Sequence, residues 1–316
     1  MRGKYEQPRS KGRGVLIAVL IVLIVLMVGL LAAVLCGSHL LGLINYAEDG
    51  YDGDQAHLED AGLDVMRDED VINILLIGQD ARPGETQTRA DTMILCSYHK
   101  GRKELTLTSF MRDMYVEIPG YYAHKMNSAH AWGGMKLVEH TLAVNFGIVV
   151  DGTFSVDFSS FQKVIDEIGG IDIELTAAEA RYVNGNLYSE GVNHLSGADA
   201  LTYARCRSIG NSDFDRTGRQ QKVLDAIVQK CKGLSVLELT QMAESVLPML
   251  STNMKKGDIV KCMGTILPDA SKIRIANKQR IPADDAFYYD TVSGMSVLVP
   301  DLEKNREILK STIYGQ

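Results

Sequence analysis

The stretch Leu201–Lys222, LTYARCRSIGNSDFDRTGRQQK, concentrates the residue types that can grip an anion. Arg205 and Arg207 stand two apart, and Arg216 and Arg219 follow with Asp213 and Asp215 between the pairs. Asp serves as an N-cap and acids favour a first turn, so a helix is expected from about Asp213–Asp215 onward. Val223, Leu224, Ile227 and Cys231 recur at helical spacing and mark its apolar stripe. Steps of four back from Leu224 reach Gln220 and then Arg216, which places both on the inward side. A permanently charged guanidinium turned toward a core needs a partner. The cluster is therefore either an ion-pair network or an anion site.

The elements upstream gather a second cluster. VINILLIG (71–78) reads as a buried strand, DTMILCSYH (91–99) as another after a polar loop, and ELTLTSF (104–110) as a third. In an antiparallel meander the first strand ends where the second begins, and the third returns to that edge. Asp80, Arg82, Arg89, Asp91, Arg112 and Asp113 then share one end of the sheet. Two carboxylates a loop apart suit a hard cation such as Mg2+, which favours one or two carboxylates plus phosphate oxygens. The arginine fork suits phosphate. Together they point to a phosphate or pyrophosphate and to phosphoryl transfer. No Walker sequence or kinase glycine loop indicates a nucleotide, and no G-x-S-x-G indicates a serine hydrolase.

Helices and strands alternate through the rest of the chain. MKLVEHTLAVNFG and FQKVIDEIGG read as helices, and Ser196 N-caps a short helix through Tyr203. Helices are further expected over 234–252, 256–267 and 301–313, with strands over 273–282 and 286–299, whereas 176–195 reads as irregular with a small hairpin. The expected fold is an α/β/α sandwich with a central mixed β-sheet. Trp132, the methionines and most tyrosines carry no spacing signal and read as core. His124 and His130, six apart, do not make a metal pair.

The formal charge is −7, but residues 1–14 carry +4, which leaves −11 on the remainder and argues against nucleic-acid binding. Val15–Cys36 holds no charged residue, and at ~1.5 Å per residue it is long enough for one bilayer crossing. Basic residues precede it, so an uncleaved transmembrane helix is expected at 15–36, with the 1–14 tail cytoplasmic and the body extracytoplasmic. Residues 37–69 read as an acidic, solvated stalk and 70–316 as the catalytic domain. Outside the membrane disulfides persist, and a Cys231–Cys262 pairing stays open.

GQDARPG, TRADTMIL, SFMRDMYVEIPG, HKMNSAHAWGG, FQKVIDEIGGIDIEL, LSGADALTYARCR and DFDRTGRQQ resemble, in order, the motifs of the LytR-CpsA-Psr (LCP) family. The resemblance implies a membrane-anchored phosphotransferase with an apolar cavity for a polyprenyl chain. Such an enzyme moves a glycopolymer, teichoic-acid-like or capsular, from a polyprenyl-pyrophosphate carrier to peptidoglycan through a phosphodiester. By motif position it implies a pyrophosphate site of Arg82, Arg89, Arg112, Lys125, Arg205, Arg207, Arg216 and Gln220, with Asp80 and Asp91 for Mg2+. Asp91, Arg112, Asp213 and Arg216 are the implied catalytic group, with Asp91 or Asp213 taking the acceptor's proton. Asp215 departs from the family pattern, standing where glycine precedes the helix arginine, and is read as a helix cap. Trp132 replaces the family's usual aromatic. A polyprenyl-phosphate-binding regulator and a pyrophosphatase are the rival readings.

Overall fold

The computed structural model describes residues 40–47, 64–79, 88–206, 208–209, 218–219, 222–223, 226, 230, 238, 241, 244–269 and 272–315. In chain order the described strands are β1 (Asn45–Tyr46), β2 (Val71–Gln79), β3 (Ala90–His99), β4 (Glu104–Phe110), β5 (Tyr115–Val116), β6 (His124–Lys125) and β7 (Gly152–Asp157). They continue as β8 (Ile171–Leu175), β9 (Gly191–Leu195), β10 (Leu250–Thr252), β11 (Arg274–Ile281), β12 (Phe287–Val292) and β13 (Met295–Pro300). The helices are α1 (Ser128–Phe146), α2 (Phe158–Glu167), α3 (Ala177–Asn184), α4 (Gly197–Arg205), α5 (Lys256–Ile266) and α6 (Leu302–Leu309).

The central sheet runs β1-β10-β7-β2-β3-β4-β11 and is mixed. The meander β2–β3–β4 is antiparallel throughout, while β7 lies parallel to β2 and β11 parallel to β4. Strand β2 is apolar on both faces because both are covered. Ile72 and Ile74 pack with the α2–α5 side, and Val71, Leu75 and Ile77 pack with α1 and α6. Leu75 and Leu95 are paired across β2 and β3 with no exposure, so truncating either to Ala costs about 2–5 kcal/mol. Helices on both faces of a mixed sheet give the expected α/β/α arrangement.

Local chemistry sets the helix ends. Asp157 caps α2 by accepting from Ser160 N, and Ser196 caps α4 by accepting from Asp199 N. Helix α1 kinks at Gly133 and Gly134, where φ at Gly134 is +68°, and it closes on Gly147 with φ +71°.

Four expectations are corrected. Residues 176–195 are not irregular: Thr176 and Glu179 form a reciprocal capping box that starts α3, and β9 pairs with β8. The helix expected through 252 ends earlier, because a 3-10 turn containing Pro248 leads into β10 at the sheet's edge. The strand expected over 286–299 is a hairpin, turned at Ser293 and Gly294 with φ +52° and +78°. Within the expected stalk, Leu40, Leu41 and Ile44 are buried in the core and β1 joins the sheet, so this segment is not solvated.

Cys96, Cys206 and Cys262 are free thiols, so the Cys231–Cys262 bridge is not formed. The 15–36 span lies outside the described residues, and among those described no helix is long and apolar enough to cross a membrane.

Candidate functional site

Register builds the site. Gln79 pairs with Ala90 and Ile94 with Ser109, so the residues entering β3 and those leaving β4 meet at one end of the sheet. There Arg112 Nη1 donates to Asp91 Oδ1 at 2.6 Å and Arg112 Nε to Asp113 Oδ2 at 3.2 Å. Lys125 arrives because β6 pairs with β5, Tyr115 opposite Lys125, and because Asn127 N donates to Arg112 O at 3.1 Å. Its Nζ reaches Asp113 Oδ1 at 2.7 Å. The four side chains are between 16% and 22% exposed, dry enough to strengthen charge yet open to a ligand.

Burial acts to raise the Asp113 carboxyl, but the Lys125 hydrogen bond and the charges of Arg112 and Lys125 outweigh it and hold the group below the usual carboxylate range. Asp113 is thus the hinge of the cluster. The motif SFMRD exposed it to view, yet the resemblance assigned it no role.

Arg89 stands exposed just ahead of β3, with no partner among the described residues. It is aligned by its neighbour: Thr88 O accepts from His130 Nδ1 at 2.7 Å, and Thr88 Oγ1 donates to Gln79 Oε1 at 2.7 Å. Arg89 and Lys125 both face His124, whose ring is kept neutral more readily by burial and by those two cations. Arg205 is exposed in the last turn of α4, on the opposite helical layer from α1.

The arginine cluster of the central helix divides. Arg219, Lys222, Val223, Ala226 and Lys230 are helical, and Val223 is buried, as the periodicity required. Arg219 is 5% exposed and bonds through all three nitrogens: Nε donates to Glu179 Oε1 at 2.9 Å, Nη1 to Cys206 O at 3.0 Å and Nη2 to Ile209 O at 2.6 Å. It is a structural staple and not an anion ligand. Asp80, Arg82, Arg207, Asp213, Arg216 and Gln220, with Asp215, lie outside the described residues.

Arg112, Lys125, Asp91 and Asp113 cancel in formal charge, leaving Arg89 as the net cation of the described group. The Asp91 oxygen not engaged by Arg112 is a hard donor of the kind magnesium accepts, and among the described residues no group of three or more His, Cys, Asp or Glu side chains gathers that could hold a metal. Beside the site, Leu76 on β2, Val156 on β7 and Phe161 and Val164 on α2 are only partly buried, an apolar wall on one face of the sheet.

Known proteins resemble this chain in sequence and in fold. The chain is 34% identical over 197 residues to Regulatory protein MsrR of Staphylococcus aureus, covering 61% of this chain and 60% of that one. It is 35% identical over 176 residues to the polyisoprenyl-teichoic acid–peptidoglycan teichoic acid transferase TagT of Bacillus subtilis, covering 52% and 54%. The solved structure described as TagT bound to LI-WTA superposes with a TM-score of 0.61 at 25% identity, over 78% of this chain and 92% of that one. The chain thus spans about 60% of the length of the first curated relatives it matches. The LytR_cpsA_psr family model matches residues 43–312, most of the length, and the chain belongs to that family.

Proposed function

We propose that this protein is a membrane-anchored phosphotransferase, held by a transmembrane helix at 15–36 with its catalytic domain extracytoplasmic. It moves a glycopolymer from a polyprenyl-pyrophosphate carrier to peptidoglycan through a phosphodiester. The observation that carries this is Arg112 held between Asp91 and Asp113, with Lys125 on the same carboxylate and Arg89 exposed at the same strand end. A fork preset against two carboxylates is preset for phosphate oxygens, which it binds in the same way. The teichoic acid transferase named above, at 35% identity, supports the same reaction class.

In this reading Arg89, Arg112 and Lys125, with Arg82, Arg205, Arg207, Arg216 and Gln220, bind and neutralise the diphosphate. The apolar wall of Leu76, Val156, Phe161 and Val164 takes the polyprenyl chain. The acceptor hydroxyl oxygen forms a bond to the sugar-proximal phosphorus, and the bond from that phosphorus to the bridging oxygen breaks. Polyprenyl phosphate leaves with the electron pair. Asp91 and Asp80 would hold magnesium, which would supply charge neutralisation on the phosphate oxygens. Asp91 or Asp213 takes the acceptor's proton.

The test incubates the protein with a polyprenyl-pyrophosphate sugar, magnesium and peptidoglycan fragments. Transfer is expected, and Arg112→Ala should slow it roughly 10²–10³-fold. Hydrolysis alone would make the protein a pyrophosphatase. Binding without turnover would favour a regulatory protein, the description its relative MsrR carries.

A further inference from the structure

The expectation that Trp132 and most tyrosines lie in the core holds only in part: Trp132 is half-buried and packs against the core, whereas Tyr121 and Tyr122 do not. Tyr121 and Tyr122 are 47% and 66% exposed. Their rings each lie 5.1 Å from the Trp132 ring, and the His124 ring lies 5.0 Å from it. Tyr121 is locked in place by donating its hydroxyl to Trp132 O at 3.1 Å, and His124 by Ser128 Oγ at 2.7 Å. Trp132 is turned by the kink at Gly133 and Gly134 that ends the first stretch of α1. A rigid aromatic surface of this kind does not stabilise the fold by burial, because its two tyrosines are largely wet.

Its position is informative. His124 is the residue before Lys125 on β6, and Lys125 is bonded to the Asp113 that holds Arg112. We infer that Tyr121, Tyr122 and Trp132 form a stacking platform for a sugar ring attached to the phosphate held by Arg89, Arg112 and Lys125. The inference rests on the function proposed above and names what lies on the far side of its phosphate. In a pyrophosphate-linked glycan a single oxygen joins the first sugar to phosphorus, so the ring must come to rest against whatever adjoins the cations. Aromatic faces carry negative charge density and pack against the C–H face of a pyranose, while the polar edge of the sugar stays in water. The exposed face of Tyr122 suits such a half-wet ligand.

Trp132 is the chain's single tryptophan, so its fluorescence reports on the platform. Full-length protein in detergent is titrated with inorganic pyrophosphate, inorganic phosphate and N-acetylglucosamine 1-phosphate. The sugar phosphate is expected to shift the emission and to bind roughly three- to tenfold more tightly than inorganic phosphate. Tyr122→Ala, at an exposed position, should remove that increment while leaving phosphate and pyrophosphate affinity within about twofold and the melting temperature unchanged. Equal affinity for phosphate and sugar phosphate in the wild type overturns the platform and leaves the phosphotransferase reading standing, provided pyrophosphate binds. Failure to bind pyrophosphate overturns both. Vesicles of phosphatidylglycerol and phosphatidylethanolamine form the last arm. If Tyr122→Ala weakens vesicle binding and leaves the sugar increment intact, the rings contact lipid and the platform is refuted.

Discussion

Replacing Arg219 with methionine removes the cation from a buried pair whose side chains are 6% and 7% exposed. Glu179 is left as an uncompensated buried carboxylate, a loss of about 3–5 kcal/mol. Cys206 O and Ile209 O also lose their donors, each worth roughly 1 kcal/mol, not fully additive. A net loss of about 4 kcal/mol at 2–4 °C per kcal/mol lowers the melting temperature by roughly 8–16 °C. The effect depends on pH in a defined direction. Burial raises the Glu179 carboxyl, but hydrogen bonds from Thr176 and Arg219 outweigh it and hold it low. A depressed carboxyl contributes stability above the unfolded value, ~4.3, and loses it as pH falls through the lower folded value. The gap between wild type and Arg219→Met should therefore be full at neutral pH and narrow as pH falls below the unfolded value, leaving the part that comes from the two backbone carbonyls. Glu179→Gln in the same chain removes the stranded charge and keeps an acceptor for the Thr176 cap, so the double variant should regain about half the loss. Calorimetry across pH decides it. A shift of less than about 2 °C for Arg219→Met at pH 7, or a gap that does not change with acid, refutes the staple.

The remaining predictions are more local. Asp113→Asn removes the shared anion of Arg112 and Lys125, so transfer should fall roughly tenfold with little loss of stability. In the wild type this anion is present above the ordinary carboxylate range and disappears as pH falls through the lowered Asp113 value, so the activity ratio should narrow in acid. Gly197→Ala would place a Cβ 2.1 Å from Gln162 O, where backbone cannot yield, and should destabilise by about 1–3 kcal/mol. Gly264→Ala in α5 meets nothing within 4 Å and should stabilise by roughly 0.5–1 kcal/mol, measured by the same melts. Chelation with EDTA should abolish transfer and magnesium restore it, with the fold unchanged by circular dichroism.

The meander was legible because alternation and length marked three strands without ambiguity, and antiparallel register then fixed which side chains share an end. Asp91 and Arg112, 21 residues apart, meet as topology alone required. The capping box at Thr176 was legible in principle, since T-A-A-E states it, but the glycines and asparagines that follow masked a short helix. Strand β10 was not legible: three residues carry no periodicity, and pairing to β7 and β1 makes them a strand. Leu40–Tyr46 escaped notice because its apolar residues abut the longer run before them. Tyr121 and Tyr122 were misjudged because residue type speaks for average burial and both depart from it, whereas Trp132 packs against the core.

Arg112 and Arg219 show what spacing withholds. Both are guanidiniums in one sequence, each bonded through Nε and at least one terminal nitrogen. Periodicity assigns a face of an element but not a depth, and depth decides between them. Arg219 commits its donors to a buried carboxylate and two backbone carbonyls, acceptors that cannot leave, so it has nothing to exchange with a ligand. Arg112 is held by two partly exposed carboxylates at an open strand end. Those oxygens carry negative charge as phosphate oxygens do, and in the function proposed above a phosphate entering the site takes over their bonds to Arg112. On that proposal the guanidinium's orientation is set before substrate arrives, which is the condition under which a charged side chain lowers a barrier most.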